Sequence, residues 1–287
     1  MSNQTRFQCL VSDHLLHGVI ENSNAVGTPV VIIQGGPGMS YEYLYPIAEL
    51  LPDHPLVFFN PVAFSHKTDL NPDLLTLDHF VKEVDCIRQH LQYDSFLLFC
   101  HSAGTITGLE YALNNWNFLA GAVFISPIFS LSFYLEQMMT LLKQFPENIH
   151  SVFKALLSHQ TTDPLEIMQA MAYFAEEHMC RVEWPEALIN ASANTNIAMR
   201  DYLWGSNDFV ISGLWQDFER REALRELNIP SLLISGEHDF INVHTCHHYA
   251  SYLPDCKVAM VKKASHNPHF EAPDALKSIL HQFFTAV

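Results

Sequence analysis

The chain alternates short, strongly apolar runs with segments of helical periodicity. In its first half the apolar runs cover residues 30–33, 56–59, 96–99 and 122–125. Four-residue runs that are apolar throughout are typical of parallel strands buried on both faces, and such strands need crossover connections of the kind that the helical segments provide. The pattern therefore predicts an α/β fold with a mostly parallel central sheet flanked by helices.

The alternation is interrupted once. Residues 128–218 contain helical stretches rich in Leu, Met and Phe and no strand-like run, and strand patterns resume at 230–236 and 258–261. We therefore predict a core formed by residues 1–127 and 219–287, with residues 128–218 inserted as a helical cap.

The segment between the second and third apolar runs shows helical spacing most clearly. Its apolar residues recur every three or four positions and predict one face packed on the sheet. The charged residues of the same segment are predicted to lie on the opposite, solvent-facing side: Asp78, Lys82, Glu83 and Arg88.

Composition narrows the class of protein. With 287 residues, 48% of them hydrophobic, the chain can bury one sizeable core, and its formal charge of −16 opposes binding to nucleic acid. No apolar run approaches the roughly 20 residues of a membrane helix, and the polar start does not resemble a signal peptide. We expect a cytoplasmic protein with reduced cysteines and no membrane partner. No oligomeric state is predicted.

Ser102 stands between a predicted strand and a predicted helix, in the segment Cys100-His-Ser-Ala-Gly104. This is the context of the nucleophile elbow Gly-x-Ser-x-Gly, in which small neighbours let the serine occupy a sharp turn above the sheet. Gly104 supplies the trailing small residue, and Cys100 takes the place of the leading glycine. Ser102 is predicted as a nucleophile, with an ordinary helix N-cap as the alternative.

The first apolar run ends in Gln34-Gly-Gly-Pro-Gly38. Glycines at this point allow backbone N–H groups to approach a reacting carbonyl, as the oxyanion hole of an elbow enzyme requires. We predict Gly36 and Ala103 as the two oxyanion donors. A plain Gly/Pro turn is the alternative.

An acid and a base follow in the expected chain order of serine, acid and histidine. Asp239 follows the run at 230–236, and His266 follows the run at 258–261, so both are predicted at the carboxyl ends of strands. Glu237 is the alternative acid, and His238 and His269 are alternative bases. The prediction is a Ser102, His266, Asp239 triad.

A second group of side chains invites a metal interpretation: His244, Cys246, His247 and His248. Their spacing matches no familiar metal-binding helix, so no metal is expected. No cofactor is expected either.

Together these motifs resemble the proline iminopeptidase branch of the α/β hydrolases, serine exopeptidases that remove N-terminal residues, preferentially proline. The glycine loop is similar to the family's His-Gly-Gly-Pro-Gly, and the elbow to its Gly-x-Ser-Trp-Gly. His266, Glu271 and Pro273 resemble the His-x4-Glu-x-Pro ending. Trp204-Gly-Ser-Asn-Asp-Phe209 resembles Trp-Gly-Pro-Asn-Glu-Phe in the family's cap.

The resemblance implies the α/β-hydrolase fold and a cap acid, here Asp208, that binds the free amine of the substrate. It also implies substrate contacts at Trp204, Gly35 and Phe240. The chain departs from the family at Phe240, where an acid is common, at Ala103, where an aromatic residue is common, and in the loop at residues 60–66.

The leading hypothesis is therefore an aminopeptidase acting on short peptides. An esterase, lactonase or amidase acting on a small molecule would use the same triad. A ligand-binding protein without catalysis is the third alternative.

Overall fold

The computed structural model describes residues 4–158 and 160–287. Its eight strands are β1 Thr5–Val11, β2 His14–Glu21, β3 Val30–Ile33, β4 Leu56–Phe59, β5 Phe96–His101, β6 Leu119–Ile125, β7 Ser231–Gly236 and β8 Cys256–Val261. They form one sheet in the order β1-β2-β4-β3-β5-β6-β7-β8. Strand β2 is antiparallel to both neighbours and the remaining pairs are parallel. The predicted mostly parallel sheet is confirmed.

Eleven α helices lie in the described part of the chain. They are α1 Ile47–Leu50, α2 Leu77–His90, α3 Gly104–Asn115, α4 Leu131–Leu142, α5 Glu147–Leu157, α6 Pro164–Phe174, α7 Glu186–Ala193, α8 Ile197–Leu203, α9 Val243–Ala250, α10 Pro268–Glu271 and α11 Pro273–Phe284. A π-helical turn, Ala175–Met179, continues α6. Short 3-10 helices cover Tyr41–Leu44, Val62–Ser65, Pro72–Leu75, Trp116–Phe118 and Glu222–Glu226.

The sheet separates two hydrophobic cores. Val31 and Ile33 of β3 point into the core formed with α2, α3 and α9. Val30 and Ile32 of the same strand point into the core formed with α1 and α11. Successive strand residues face opposite sides, so a strand covered on both faces must be apolar at every position. All six predicted runs are strands; those in β3 to β7 are covered on both faces, whereas β8, at the edge of the sheet, exposes Lys257 and Met260.

The sequence analysis did not predict the N-terminal hairpin of β1 and β2. Only one face of β1 is covered: Phe7, Cys9 and Val11 are buried, whereas Arg6 and Gln8 are exposed. A half-covered strand alternates apolar and polar residues instead of forming an apolar run.

Glu83 was wrongly placed on the solvent face of α2. It is 1% exposed, and its Oε1 accepts a hydrogen bond from the Val62 N–H at 2.7 Å. The carboxylate is buried because it binds a backbone donor of the loop that follows β4.

Helices α4 to α8 all lie between β6 and β7, within the residues predicted as an inserted cap. The described residues of that segment form no extended strand, and Ser130 makes one isolated bridge to Glu219. Across residues 4–158 and 160–287, none of the helices has the length and apolar character needed to cross a membrane.

Candidate active site

Ser102 occupies the turn between β5 and α3. Its φ is +54°, in the left-handed region that non-glycine residues seldom adopt. Its N–H donates to the carbonyl of Ile125 at 2.9 Å. Helix α3 begins at Gly104 with Ala103 as its N-cap, and no side chain caps it. Ser102 therefore stands in a strained strand-to-helix turn, which is the geometry of a nucleophile elbow, and it does not act as a helix cap.

Asp239 and His266 meet at the carboxyl ends of β7 and β8. His266 Nδ1 lies 3.0 Å from Asp239 Oδ1, and each residue is 3% exposed. Asp239 also accepts hydrogen bonds from the Ile241 N–H and the Ser126 hydroxyl. The carboxylate fixes the imidazole with its proton on Nδ1, which leaves Nε2 as a proton acceptor.

The alternative acid and bases have other partners. Glu237 lies at the surface, where its Oε2 accepts from the Lys263 N–H at 2.8 Å. His269 Nε2 donates to the Tyr43 carbonyl at 3.0 Å, and burial lowers the pKa of His269 to about 3. His238 is partly exposed beside Glu237. None of these three residues makes the hydrogen bond at the pocket that joins His266 to Asp239.

A pocket of about 80 Å³ brings most of the predicted site residues together, and we call it the Ser102 pocket. Its lining includes Gly36, Ser102, Ala103, Trp204, Asp208, Phe240 and His266. Asp239 is buried behind the imidazole. The predicted nucleophile, the predicted base and the two predicted oxyanion donors thus share one cavity.

Gly35 is placed differently from the other predicted residues. Its N–H donates to the Tyr43 hydroxyl at 2.8 Å, and a Cβ at this position would lie 2.8 Å from Ser102 Cβ. Gly35 lines a neighbouring cavity, which we call the Glu83 cavity after another of its lining residues. Gly35 thus packs closely against Ser102, and its substrate contact stays a prediction.

A hydrogen-bond relay that the sequence analysis missed joins the three loops of the site. Tyr43 Oη lies 2.8 Å from His101 Nδ1, and His101 Nε2 lies 2.8 Å from the His266 carbonyl. A carbonyl only accepts, so the proton of His101 is on Nε2 and Nδ1 accepts from Tyr43. Burial, aided by His266 and His269, lowers the pKa of His101, which stays neutral.

Glu271 holds the loop that carries His266. Its carboxylate accepts from the N–H groups of Ser265, Asn267 and Arg181 and from the Ser265 hydroxyl. The π-helical turn adds two contacts: the His266 N–H donates to the His178 carbonyl, and the Asn267 amide donates to the Met179 carbonyl. The backbone around His266 is thus fixed from two sides.

Asp208 forms an ion pair with Arg200. Its Oδ1 lies 3.2 Å from Arg200 Nη2, and the carboxylate side chain is 40% exposed. Its backbone carbonyl accepts from the Tyr134 hydroxyl at 3.0 Å. The anion predicted to bind an amine is therefore present at the pocket, but it is partly neutralised.

The suspected metal ligands on α9 have separate surroundings. Cys246 is fully buried in the core, and the His248 ring stacks on Phe133 at 4.1 Å. Among the residues that the structure describes, no group of three or more His, Cys, Asp or Glu side chains is placed to hold a metal ion.

Comparison with known proteins identifies the family. A family model described as the α/β hydrolase fold matches residues 28–273. The chain belongs to this family. A proline iminopeptidase from Heyndrickxia coagulans is 28% identical over 272 residues, 93% of each chain.

Two solved structures share the fold of this α/β hydrolase over nearly its full length. A proline iminopeptidase from Mycobacterium smegmatis has a TM-score of 0.91 at 23% identity and covers 98% of each chain. VinJ has a TM-score of 0.89 at 21% identity and covers 100% of this chain and 99% of its own. The resemblance inferred from the motifs is confirmed.

The elbow of this α/β hydrolase accommodates Cys100 by means of a glycine on the following helix. A Cβ added to Gly108 would lie 2.2 Å from Cys100 Sγ. The space that a leading glycine would leave empty is filled by the thiol, and Gly108 on α3 provides the room for it.

The Gly108→Ala substitution is expected to destabilise the protein by about 1–3 kcal/mol, because its methyl group overlaps the Cys100 sulfur. In a Cys100→Gly background the same substitution should be neutral or stabilising, since alanine is the better helix former by about 1 kcal/mol. A double-mutant cycle on urea unfolding measures the coupling. Equal costs in both backgrounds would contradict this packing explanation.

Proposed function

We propose that this α/β hydrolase is a serine aminopeptidase of the proline iminopeptidase type, which releases N-terminal residues from short peptides. One observation carries the proposal: the His266–Asp239 hydrogen bond lies at the same pocket as the strained Ser102 turn. The full-length similarity to proteins named proline iminopeptidase supports the choice of peptidase.

In the proposed mechanism His266 Nε2 takes the proton of Ser102 as Oγ attacks the scissile carbonyl. The imidazolium then protonates the leaving amine, and the acyl group stays on Ser102. A water molecule, deprotonated by the same nitrogen, hydrolyses the ester and restores the serine. Asp239 keeps the ring oriented and stabilises its positive charge.

The N–H groups of Gly36 and Ala103 stabilise the negative oxygen of the tetrahedral intermediate. Both residues line the Ser102 pocket. Within residues 4–158 and 160–287 neither N–H donates to a protein acceptor. Two free backbone donors beside the nucleophile are what an oxyanion hole requires.

Residues 128–218 act as the cap of this site in our proposal. Tyr134, Met179, Trp204 and Asp208 come from this segment and line the Ser102 pocket. The aromatic and sulfur-containing side chains provide an apolar surface for the N-terminal residue of the substrate, and Asp208 provides the charge that attracts its ammonium group.

Blocking the substrate amine tests this assignment. Acetylating a prolyl or alanyl arylamide should lower kcat/KM by roughly 30-fold or more, because the charge pair between the substrate ammonium and Asp208 is lost. Asp208→Asn should lower kcat/KM for the free amine by a similar factor, mainly through KM. Asp201→Asn is the matched control, because Asp201 also contacts Arg200, at 3.6 Å, but is absent from the pocket lining.

An esterase or amidase acting on a small molecule is the second candidate. Arg200 favours it, because its positive charge offsets the negative charge of Asp208. Phe240 also favours it: an acid is common at this position in proline iminopeptidases, and here a phenyl ring lies 4.4 Å from the His266 ring. If the acetylated arylamides are hydrolysed as fast as the free amines, or short acyl esters are preferred, the aminopeptidase assignment is lost in favour of this one.

A further inference from the structure

The Glu83 cavity has no part in the mechanism above. It measures about 40 Å³ and adjoins the Ser102 pocket, since Met39 and Ala103 line both. Most of its walls are apolar and include Phe59, Phe80 and Met199. Such a cavity has room for a small ligand or a few water molecules.

Three side chains of this cavity each carry a buried polar atom that lacks a hydrogen-bond partner among the described residues. They are Glu83 Oε2, Gln34 Oε1 and Trp215 Nε1. The residues are 1%, 8% and 5% exposed. An unpartnered buried polar group destabilises the fold unless something binds it, so three of them around one cavity indicate a binding site.

The pattern of donors and acceptors selects the class of ligand. Glu83 and Gln34 present acceptor oxygens and Trp215 presents a donor, so a complementary group needs two hydrogens and a lone pair. A primary carboxamide has both. An ammonium group would leave the indole N–H of Trp215 unpaired, and a carboxylate would face the two acceptor oxygens.

A carboxamide also fits either protonation state of Glu83. Burial raises the pKa of Glu83, and His79, whose Nε2 lies 3.4 Å from Oε1, opposes this effect. The ligand's NH₂ group can donate to the carboxylate, and its oxygen can accept from the carboxylic acid.

We propose that the Glu83 cavity binds a primary carboxamide at the end of a short aliphatic chain. The apolar walls hold the chain and the three polar atoms bind the amide. The group could be supplied by a free small amide or by the side chain of an N-terminal glutamine of the substrate, and the second source rests on the proposed function.

Equilibrium titration with butyramide tests the site directly. Butyramide should bind at least about tenfold more tightly than pentan-2-one, its shape analogue without the NH₂ group, and more tightly than butyrate or butylammonium. A crystal structure of the complex should show the amide against Glu83 and Trp215. Equal affinities across the series, or a cavity that holds only water at saturating butyramide, would overturn the proposal.

Trp215→Phe should weaken butyramide binding about tenfold, because it deletes one buried donor and keeps the ring. Trp204→Phe is the matched control: its indole nitrogen is also buried and unpartnered, but Trp204 lines the Ser102 pocket and not the Glu83 cavity, so butyramide affinity should not change. Equal affinities of the Trp215→Phe and parent proteins would exclude the assigned donor.

Kinetics distinguish the two sources of the amide. If the substrate supplies it, glutaminyl arylamide should have at least about a tenfold higher kcat/KM than norleucyl or glutamyl arylamide, and Trp215→Phe should remove the preference. Butyramide binding without this preference supports a free amide as the ligand. Absence of turnover with every arylamide would reject the proposed function and leave the binding result standing.

Discussion

Replacing Ser102 with alanine should reduce kcat/KM for an amino-acyl arylamide by at least about 10⁴-fold, because the acyl-enzyme can no longer form. Labelling by a fluorophosphonate probe should disappear with it, since the probe reacts with the same oxygen. The protein should stay folded, because alanine adds no atoms to the turn at φ +54°. Rate assays, labelling and circular dichroism on one preparation check these three points.

Ser278→Ala is the control for this substitution. Ser278 lies on α11, donates to the Asp274 carbonyl at 3.0 Å and is absent from the pocket lining. It should retain parental turnover and labelling. A parent protein that neither labels nor hydrolyses any ester or arylamide would instead favour the ligand-binding alternative.

Asp239→Asn should lower kcat by about 10⁴-fold with little change in KM, because the imidazole loses both its fixed tautomer and the charge that stabilises its protonated form. Asp239 accepts from His266 Nδ1, the Ile241 N–H and the Ser126 hydroxyl. Asparagine has one acceptor oxygen and an NH₂ group in place of the other, so the local hydrogen-bond network also has to change. Steady-state kinetics measure the loss.

Ser126→Ala provides the comparison for Asp239→Asn, since it removes one donor and keeps the carboxylate charge. A loss of about 10- to 100-fold is expected, in line with one hydrogen bond to a charged group. If Asp239→Asn keeps most of the parental rate, the acid must be another residue, and Glu237 would be tested next.

The sheet and the proposed triad were predictable because both depend on local sequence patterns. Strands β3 to β8 are apolar runs, and parallel strands gather their carboxyl ends at one edge. Asp239 and His266 each follow such a strand directly, so their meeting could be predicted without knowing any packing angle. The triad roles remain a prediction until the substitutions are measured.

Contacts that depend on tertiary packing were not predictable. Predicting the close packing of Cys100 against Gly108 requires knowing the position of α3 relative to β5. Predicting the ion pair between Arg200 and Asp208 requires knowing how the inserted helices fold. Glu83 has the spacing of a solvent-facing residue on α2, and only the loop at Val62 explains its burial. In each case the deciding neighbour belongs to another element.

The π-helical turn at Ala175–Met179 limits how substrates can enter and leave. Because it is bonded to the backbone of His266 and to Asn267, swinging this middle part of residues 128–218 outward would displace His266, the proposed base. Exchange of substrate and product that leaves this arrangement intact must therefore use movement elsewhere. The inserted segment is thus tied to the core at its middle, through His266 and Asn267, and again between α7 and α8, where the Asn196 N–H donates to the Gly38 carbonyl at 2.8 Å.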